Sequence, residues 1–101
     1  MIVYNVTIKV ASDIAAAWLE WLRNEHAPQI LETGCFESYR VHRLLEQDDS
    51  EGPTFSVQYQ AASAAQYERY LSDFAPRFRQ ESFDRWGNGF IAFRSVMEVI
   101  H

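Results

Sequence analysis

The sequence predicts an α+β domain with the element order β-α-β-β-α-β. Apolar and polar residues alternate in four separate stretches, which is the period of a half-buried strand. Two longer stretches repeat their apolar residues every three to four positions, which indicates helices. No linker, repeat or low-complexity stretch divides the 101 residues, so we expect a single domain over residues 1–101.

The first strand is predicted over residues 2–10, IVYNVTIKV. Its alternation assigns one face to Ile2, Tyr4, Val6, Ile8 and Val10, and the other to Val3, Asn5, Thr7 and Lys9. Ser12 follows with a side-chain oxygen that can cap the next helix. Asp13 suits the first helical turn because its charge complements the helix dipole.

The first helix is predicted over residues 13–33, and Gly34 is expected to end it in a left-handed conformation. Its apolar side carries residues four apart, namely Ile14, Trp18, Leu22 and His26. Pro28 has no N–H to donate along the helix. We therefore expect a kink, or a helix that ends near His26 and restarts at Pro28.

Two further strands are predicted as a hairpin over residues 35–46 and 54–61, joined by the polar turn QDDSEGP at 47–53. The second strand of the pair alternates cleanly, with Phe55, Val57 and Tyr59 turned inward. Alternation in the first strand places on the outer face Phe36, Ser38, Arg40, His42 and Leu44.

The second helix is predicted to begin after Ser63, because Ser63 and Gln66 match the S-x-x-Q capping box. A kink is expected at Pro76, and the buried stripe is predicted to contain Tyr67, Leu71, Phe74 and Phe78. The turn GNG at 87–89 leads into the last strand, residues 90–100. Alternation there separates Ile91, Phe93, Met97 and Val99 from Phe90, Ala92, Arg94, Val96, Glu98 and Ile100.

This order of elements is that of the ferredoxin-like fold, a four-stranded antiparallel sheet with two helices on one face. The helices leave the other face uncovered. An apolar patch is expected there from Val3, Phe36, Leu44, Phe90, Val96 and Ile100. A second copy of the chain would bury that patch. A homodimer, a dimeric α/β barrel, is therefore predicted, with an interface that includes Val3, Asn5, Arg40, Arg94 and Val96.

The net charge of −5 disfavours nucleic acid and anionic membranes, both of which attract basic surfaces. The single cysteine cannot form an intrachain disulfide, and no apolar run approaches the roughly 20 residues of a membrane helix. These features predict a cytoplasmic setting without nucleic-acid or membrane partners. One cysteine and three dispersed histidines are too few for structural zinc, so neither a metal nor another cofactor is expected.

Six blocks of the sequence carry a resemblance to a known family. They are MIVYNVTIKV, WLEWLRNEHAPQILETGCFESYRVHRLL, FSVQYQA, YERYL, APRFRQE and FIAFRSVMEVI. Together they resemble an uncharacterised bacterial family, domain of unknown function 4286, over nearly the whole chain. The resemblance implies a ferredoxin-like domain of dimeric α/β-barrel type. It implies no activity, so no catalytic residue is carried over.

More distantly, the H-x-P motif formed by His26 and Pro28 is similar to small dimeric α/β-barrel proteins. That broad group includes cofactor-free monooxygenases, muconolactone-isomerase-like enzymes, haem-binding enzymes and ligand-binding regulators. Such a fold leaves the function open.

His26 is the candidate catalytic residue, since a neutral imidazole beside a helix irregularity can act as a general base. The alternative is a core histidine whose nitrogens bond backbone groups freed by Pro28. A pocket for a small hydrophobic or aromatic ligand is predicted between the first helix and the sheet, lined by Tyr4, Trp18, Leu22, His26 and Tyr59. These side chains could equally form ordinary core packing.

A cationic site is predicted on the uncovered face of the sheet. Arg40, His42 and Arg94 would each occur there twice in a dimer, and could hold a carboxylate or phosphate. The alternative is ion pairing of these side chains with Glu37 and Glu98.

Two hypotheses of function remain open. The first is a homodimeric module of unassigned role that holds a small hydrophobic ligand between the first helix and the sheet. The second is a cofactor-independent monooxygenase- or isomerase-like enzyme with His26 as its general base. An RNA-binding domain shares the order of elements, but the negative charge and the Thr, Ser and Gln of the uncovered face disfavour it.

Overall fold

Four strands and four helices form the domain, and the computed structural model describes all residues, 1–101. The strands are β1 (Ile2–Val10), β2 (Ser38–Arg43), β3 (Thr54–Ala61) and β4 (Phe90–Glu98). The helices are α1 (Ala15–Trp21), α2 (Ala27–Glu32), α3 (Ala64–Asp73) and α4 (Ala75–Trp86). A π-helical turn, Leu22–His26, joins α1 to α2 and is called the π turn below. The predicted fold class is confirmed.

The sheet is antiparallel throughout and has the strand order β2-β3-β1-β4. β1 therefore lies inside the sheet, while β2 and β4 are its edges. Tyr4 in β1 is opposite Tyr59 of β3 on one side and Val96 of β4 on the other. Because side chains opposite each other share a face, this register decides which residues of β4 face the helices.

The core lies between the sheet and the helices. The largest fully buried side chains are those of Phe78, Leu22, Val10, Val57 and Cys35. Aromatic rings form a layer beside them, in which the ring centroid of Tyr4 lies 5.4–6.1 Å from those of Phe36, Tyr59, Tyr67 and Tyr70. Burial of one such ring stabilises the fold by roughly 1.5–3 kcal/mol, so this layer anchors the helices to the sheet.

The first helical segment consists of α1, the π turn and α2. Its α-helical pattern is interrupted over Leu22–His26 and resumes at Ala27, one residue before the expected restart at Pro28. The N–H of Ala27 donates to the carbonyl of Leu22, five residues back. Pro28 then lies in the first turn of α2, where a helix makes no use of the missing N–H. The predicted cap at Ser12 is wrong, because Ile14 occupies the N-cap position without a side-chain bond. The predicted left-handed residue after α2 is confirmed, since Gly34 has φ of 79°.

β2 is shorter than the predicted strand over residues 35–46. Pairing with β3 starts only at Ser38 and ends at Arg43. Phe36 precedes the strand, so its side chain does not follow the strand's alternation and is buried in the aromatic layer. Its predicted position on the uncovered face is therefore wrong.

The second helical segment divides into α3 and α4 at Phe74, two residues before Pro76, as the proline predicts. The cap at Ser63 is confirmed, since the backbone N–H of Gln66 donates to its hydroxyl at 3.3 Å. The buried stripe agrees with the prediction at Phe78 and differs from it at Tyr70, which the prediction did not include. Tyr70 and Phe78 are buried, whereas Tyr67, Leu71 and Phe74 are only partly buried.

The two faces of β4 are exchanged relative to the predicted arrangement. Phe90, Ala92, Arg94 and Val96 are opposite Val10, Ile8, Val6 and Tyr4, so they share the helix-covered face. The predicted positions of Arg94 and Val96 on the uncovered face are wrong. That face instead carries Ile91, Phe93 and Met97, whose exposed fractions are 61%, 70% and 41%.

Candidate functional site

A cavity of about 60 Å³ lies between the first helical segment, α4 and the sheet. All five predicted ligand-binding residues line it: Tyr4, Trp18, Leu22, His26 and Tyr59. Most of the remaining lining is apolar or aromatic, and the exposed side chains of Arg79 and Arg94 border it, so the cavity reaches the surface there. The structure thus brings the predicted set together around one space.

His26 occupies the last position of the π turn and forms part of the cavity wall. Its imidazole stacks on the indole of Trp21, with ring centroids 4.4 Å apart, and meets the edge of Phe78 at 5.8 Å. Burial lowers the pKa of His26 from 6.5 to about 4, because desolvation penalises the charged ring. His26 is therefore neutral at pH 7.

The Nδ1 atom of His26 is buried and has no hydrogen-bond partner. Nδ1 therefore forms no hydrogen bond to the backbone near Pro28, contrary to the alternative in which both ring nitrogens do so. A buried polar atom left without a partner costs roughly 1–3 kcal/mol. A hydrogen-bonding group of a bound molecule could supply the missing partner.

The mouth of the cavity holds two arginines that share one acceptor. The hydroxyl of Tyr4 accepts a hydrogen bond from Nε of Arg94 at 3.1 Å and from Nη2 of Arg79 at 3.3 Å. Neither guanidinium forms an ion pair. The structure contains two salt bridges, Arg43–Asp49 and Arg77–Glu81, so the alternative of pairing Arg94 with Glu37 or Glu98 is not realised. We call Arg79 and Arg94 the arginine pair.

Two buried tyrosines complete the polar lining. Burial raises the pKa of Tyr59 and of Tyr70 well above the ordinary value for a phenol, and neighbouring tyrosines add to the effect. Both phenols remain protonated at neutral pH. They contribute hydroxyl donors to the cavity and no negative charge.

The predicted cationic site is not assembled. Arg40 and His42 are opposite Gln58 and Ser56 on the uncovered face, whereas Arg94 points to the opposite face of the sheet. Val3 and Asn5, two further predicted interface residues, lie on the uncovered face as expected. Asn5 is the centre of a polar network there, which is completed by Thr7, Ser56 and Ser95.

Sequence analysis missed the contribution of α4 to the site. Arg79 and Ser82 line the cavity beside Phe78, although their helix is otherwise charged and exposed. The available signal was spacing, since Phe78, Arg79 and Ser82 lie within one turn of each other on a helix. This spacing was overlooked because three of the five residues 77–81 are charged, which is typical of a solvent-exposed helix surface.

The remaining surface offers no cluster of three or more His, Cys, Asp or Glu side chains that could bind a metal ion. None of the helices is long and apolar enough to cross a membrane.

Comparison with known proteins identifies the family. The family model described as domain of unknown function (DUF4286) matches residues 1–100, so the chain belongs to this family. No functionally curated protein is significantly similar to the chain. Family membership therefore assigns no activity to the chain.

Solved structures share the fold at low sequence identity. A candidate antibiotic biosynthesis monooxygenase from Deinococcus radiodurans matches with a TM-score of 0.72 and 15% identity, covering 100% of this chain and 94% of its own. HapK from Hahella chejuensis matches with a TM-score of 0.71 and 15% identity, covering 99% and 93%. A dimeric ferredoxin-like protein of unknown function from Jannaschia matches with a TM-score of 0.59 and 12% identity, covering 98% and 100%.

Proposed function

We propose that the chain is a homodimeric binding protein that holds a small, largely apolar molecule in the cavity between its first helical segment and the sheet. The observation that carries the proposal is the cavity itself, whose mostly aromatic and apolar wall includes His26, a residue with a buried and unpartnered Nδ1. Small-molecule sites combine such apolar walls with a few polar groups that orient the ligand. A ligand group that reached Nδ1 and formed a hydrogen bond with it would remove the cost of the unpaired atom.

The size of the cavity limits the ligand. A space of about 60 Å³ holds roughly two waters at liquid density, far less than the roughly 300 Å³ or more of a site for a drug-sized molecule. The mouth can widen, because the long side chains of Arg79 and Arg94 are exposed and such side chains change rotamer on a nanosecond timescale. A molecule the size of one six-membered ring is larger than the present space and would enter only with the mouth widened, so it marks the upper limit for the ligand.

Homodimer formation is supported by the uncovered face of the sheet. Ile91, Phe93 and Met97 form an exposed apolar row along the edge strand β4. Next to it, the side-chain amide of Asn5 forms hydrogen bonds with Thr7, Ser56 and Ser95. A partner could therefore cover this face without leaving that amide unpaired. Two solved structures with this fold are described as dimeric ferredoxin-like proteins. A second copy of the chain is the occupant we propose for this face.

A cofactor-independent monooxygenase- or isomerase-like enzyme is the second candidate. Two of the similar structures are described as candidate monooxygenases, and a neutral His26 is free to accept a proton from a bound substrate. Its pKa of about 4 makes the imidazole a weak base, since an efficient general base has a pKa near the working pH. Binding without chemistry therefore agrees better with this site.

Native mass spectrometry of the freshly purified protein tests the proposal first. A dimer that carries an additional stoichiometric mass supports both parts of it. The second measurement is a titration with benzyl alcohol, a neutral probe. Binding is monitored through the chemical shifts of the backbone amides in NMR spectra. We expect shifts at cavity-lining residues such as Trp18 and Tyr59.

A matched pair of variants controls the titration. Ser82 lines the cavity, so Ser82→Phe should fill its space and abolish the shifts. Ser72 is exposed on α3 and lies outside the cavity, so Ser72→Phe should bind as the wild type does. A monomer mass, or a probe that leaves the cavity residues unshifted in a protein free of bound mass, contradicts the proposal.

A further inference from the structure

We infer that the ligand of this cavity is a small apolar carboxylic acid, whose carboxylate is bound at the mouth by the arginine pair, Arg79 and Arg94. The inference rests on the proposed binding function and specifies the chemical class of its ligand.

Two guanidinium groups converge on the mouth from different parts of the chain. Arg79 comes from α4 and Arg94 from β4, and each has a donor nitrogen within 3.3 Å of the hydroxyl oxygen of Tyr4. A guanidinium has five N–H donors, and the bond to Tyr4 uses one of them on each side. Several donors of each group therefore remain free for a second acceptor at the same place.

Charge supports an anion at this position. The chain has 14 acidic and 9 basic side chains, yet neither member of the arginine pair has a carboxylate partner. Two like charges near one another repel, and a carboxylate between them relieves this repulsion. Arginine is suited to that role because its planar donors match the two oxygens of a carboxylate.

The cavity behind the mouth determines the rest of the ligand. Ala92 and Arg94 alternate along the same face of β4, so an apolar wall begins directly below one of the guanidiniums. The deeper wall consists of Trp18, Leu22 and Val57, and the inner polar groups His26 and Tyr59 are neutral at pH 7. A molecule with one charge at its end fits this gradient. A second charge would be buried without a partner, which is costly.

Benzoate and benzyl alcohol form the probe pair, because they have nearly the same size and differ in charge. Both are titrated at pH 7 into the wild type, and affinity is measured from the amide NMR shifts of cavity residues. We expect benzoate to bind at least ten times more tightly than benzyl alcohol. Arg79→Gln and Arg94→Gln should each lower benzoate affinity about tenfold and leave the affinity for benzyl alcohol unchanged.

Arg85→Gln is the matched control, because Arg85 is exposed on α4 and does not line the cavity. It removes the same charge and should leave both affinities unchanged. Unaltered binding of benzyl alcohol also verifies that the Arg79 and Arg94 variants keep the cavity intact.

The two proposals fail in distinguishable ways. If both probes shift the cavity residues with equal affinity, and neither arginine variant weakens benzoate, the cavity binds ligands but the inference of a carboxylate is wrong. If neither probe shifts the cavity residues of protein that carries no bound mass, the proposed binding function is wrong and the inference falls with it.

Discussion

The imidazole of His26 stacks on the indole of Trp21, although the two lie five positions apart in a helical segment. In a regular α-helix, residues five apart point about 140° away from each other. The π turn contains more residues per turn, which brings the side chain of His26 back over Trp21 and into the cavity wall. The irregularity beside Pro28 thus positions the one buried imidazole of the site.

The burial of His26 makes stability depend on pH. Its pKa is about 4 in the folded protein and about 6.5 in the unfolded chain, so the unfolded chain binds the proton first as the pH falls. The contribution to stability is complete above pH 6.5 and is lost as the pH falls towards 4. Between pH 7 and pH 5 this effect amounts to about 2 kcal/mol in the free energy of unfolding.

Urea denaturation of the wild type and of His26→Leu measures this effect, because the difference between them cancels the carboxylates that titrate in both. We expect the free energy of unfolding to fall more steeply in the wild type, by about 2 kcal/mol from pH 7 to pH 5. His101→Gln, which removes an exposed histidine at the C-terminus, should follow the wild type. Parallel profiles for the wild type and His26→Leu would contradict the burial of a neutral imidazole.

Gly52 allows the turn before β3 to approach the end of β1. A Cβ atom built on Gly52 would lie 1.8 Å from the carbonyl oxygen of Val10, and its φ of 144° is unfavourable for other residues. We expect Gly52→Ala to lower the free energy of unfolding by more than about 2 kcal/mol, since backbone must move to admit the methyl group.

Gly34 provides the comparison. Its φ of 79° is also left-handed, but a Cβ there meets nothing within 4 Å. Gly34→Ala should therefore cost only the conformational term, about 1 kcal/mol. Chemical denaturation of both variants checks the difference, and equal costs would show that steric contact at Val10 is unimportant.

Local sequence signals predicted the elements of this fold well where one signal dominated. The alternation of β1 and the polar flanks of β3 led to the observed bounds of both strands, Ile2–Val10 and Thr54–Ala61. Spacing within one element also placed Trp18, Leu22 and His26 on one side of the first helix, and all three line the cavity, although its use as a ligand site stays a prediction. Such patterns are local, because the periodicity of a single strand or helix can be read from its own residues.

The sequence could not decide relations between elements. Both alternating sets of β4 contain several apolar residues, so periodicity divided the strand into two faces without indicating which one meets the helices. The pairing of Tyr4 with Val96 makes that choice, and it turns Arg94 towards the cavity. Arg79 was missed for the same reason, since its role depends on where α4 crosses the sheet.

The two candidate capping serines give a direct test of this difference. Ser63 accepts the backbone N–H of Gln66, so Ser63→Ala should lower the free energy of unfolding by about 1 kcal/mol. Ser12 was also predicted as a cap, although Ala15 three residues later completes no capping box, and it caps no helix in the structure. Ser12→Ala should therefore change stability by less than about 0.5 kcal/mol. Thermal and urea unfolding of the two variants measures both values. A large loss at Ser12 would mean that α1 begins earlier than Ala15.

The proposed homodimer is tested on β4, where neighbouring residues face opposite sides of the sheet. Phe93 is 70% exposed on the uncovered face, so Phe93→Asp should convert the dimer to a monomer by burying a charge at the interface. Val96 is 47% exposed on the helix-covered face, and Val96→Asp should leave the dimer intact. Sedimentation equilibrium at micromolar concentration distinguishes the two species. A monomeric wild type would overturn the dimer, and dissociation by Val96→Asp alone would mean that the copies meet through the other face of the sheet.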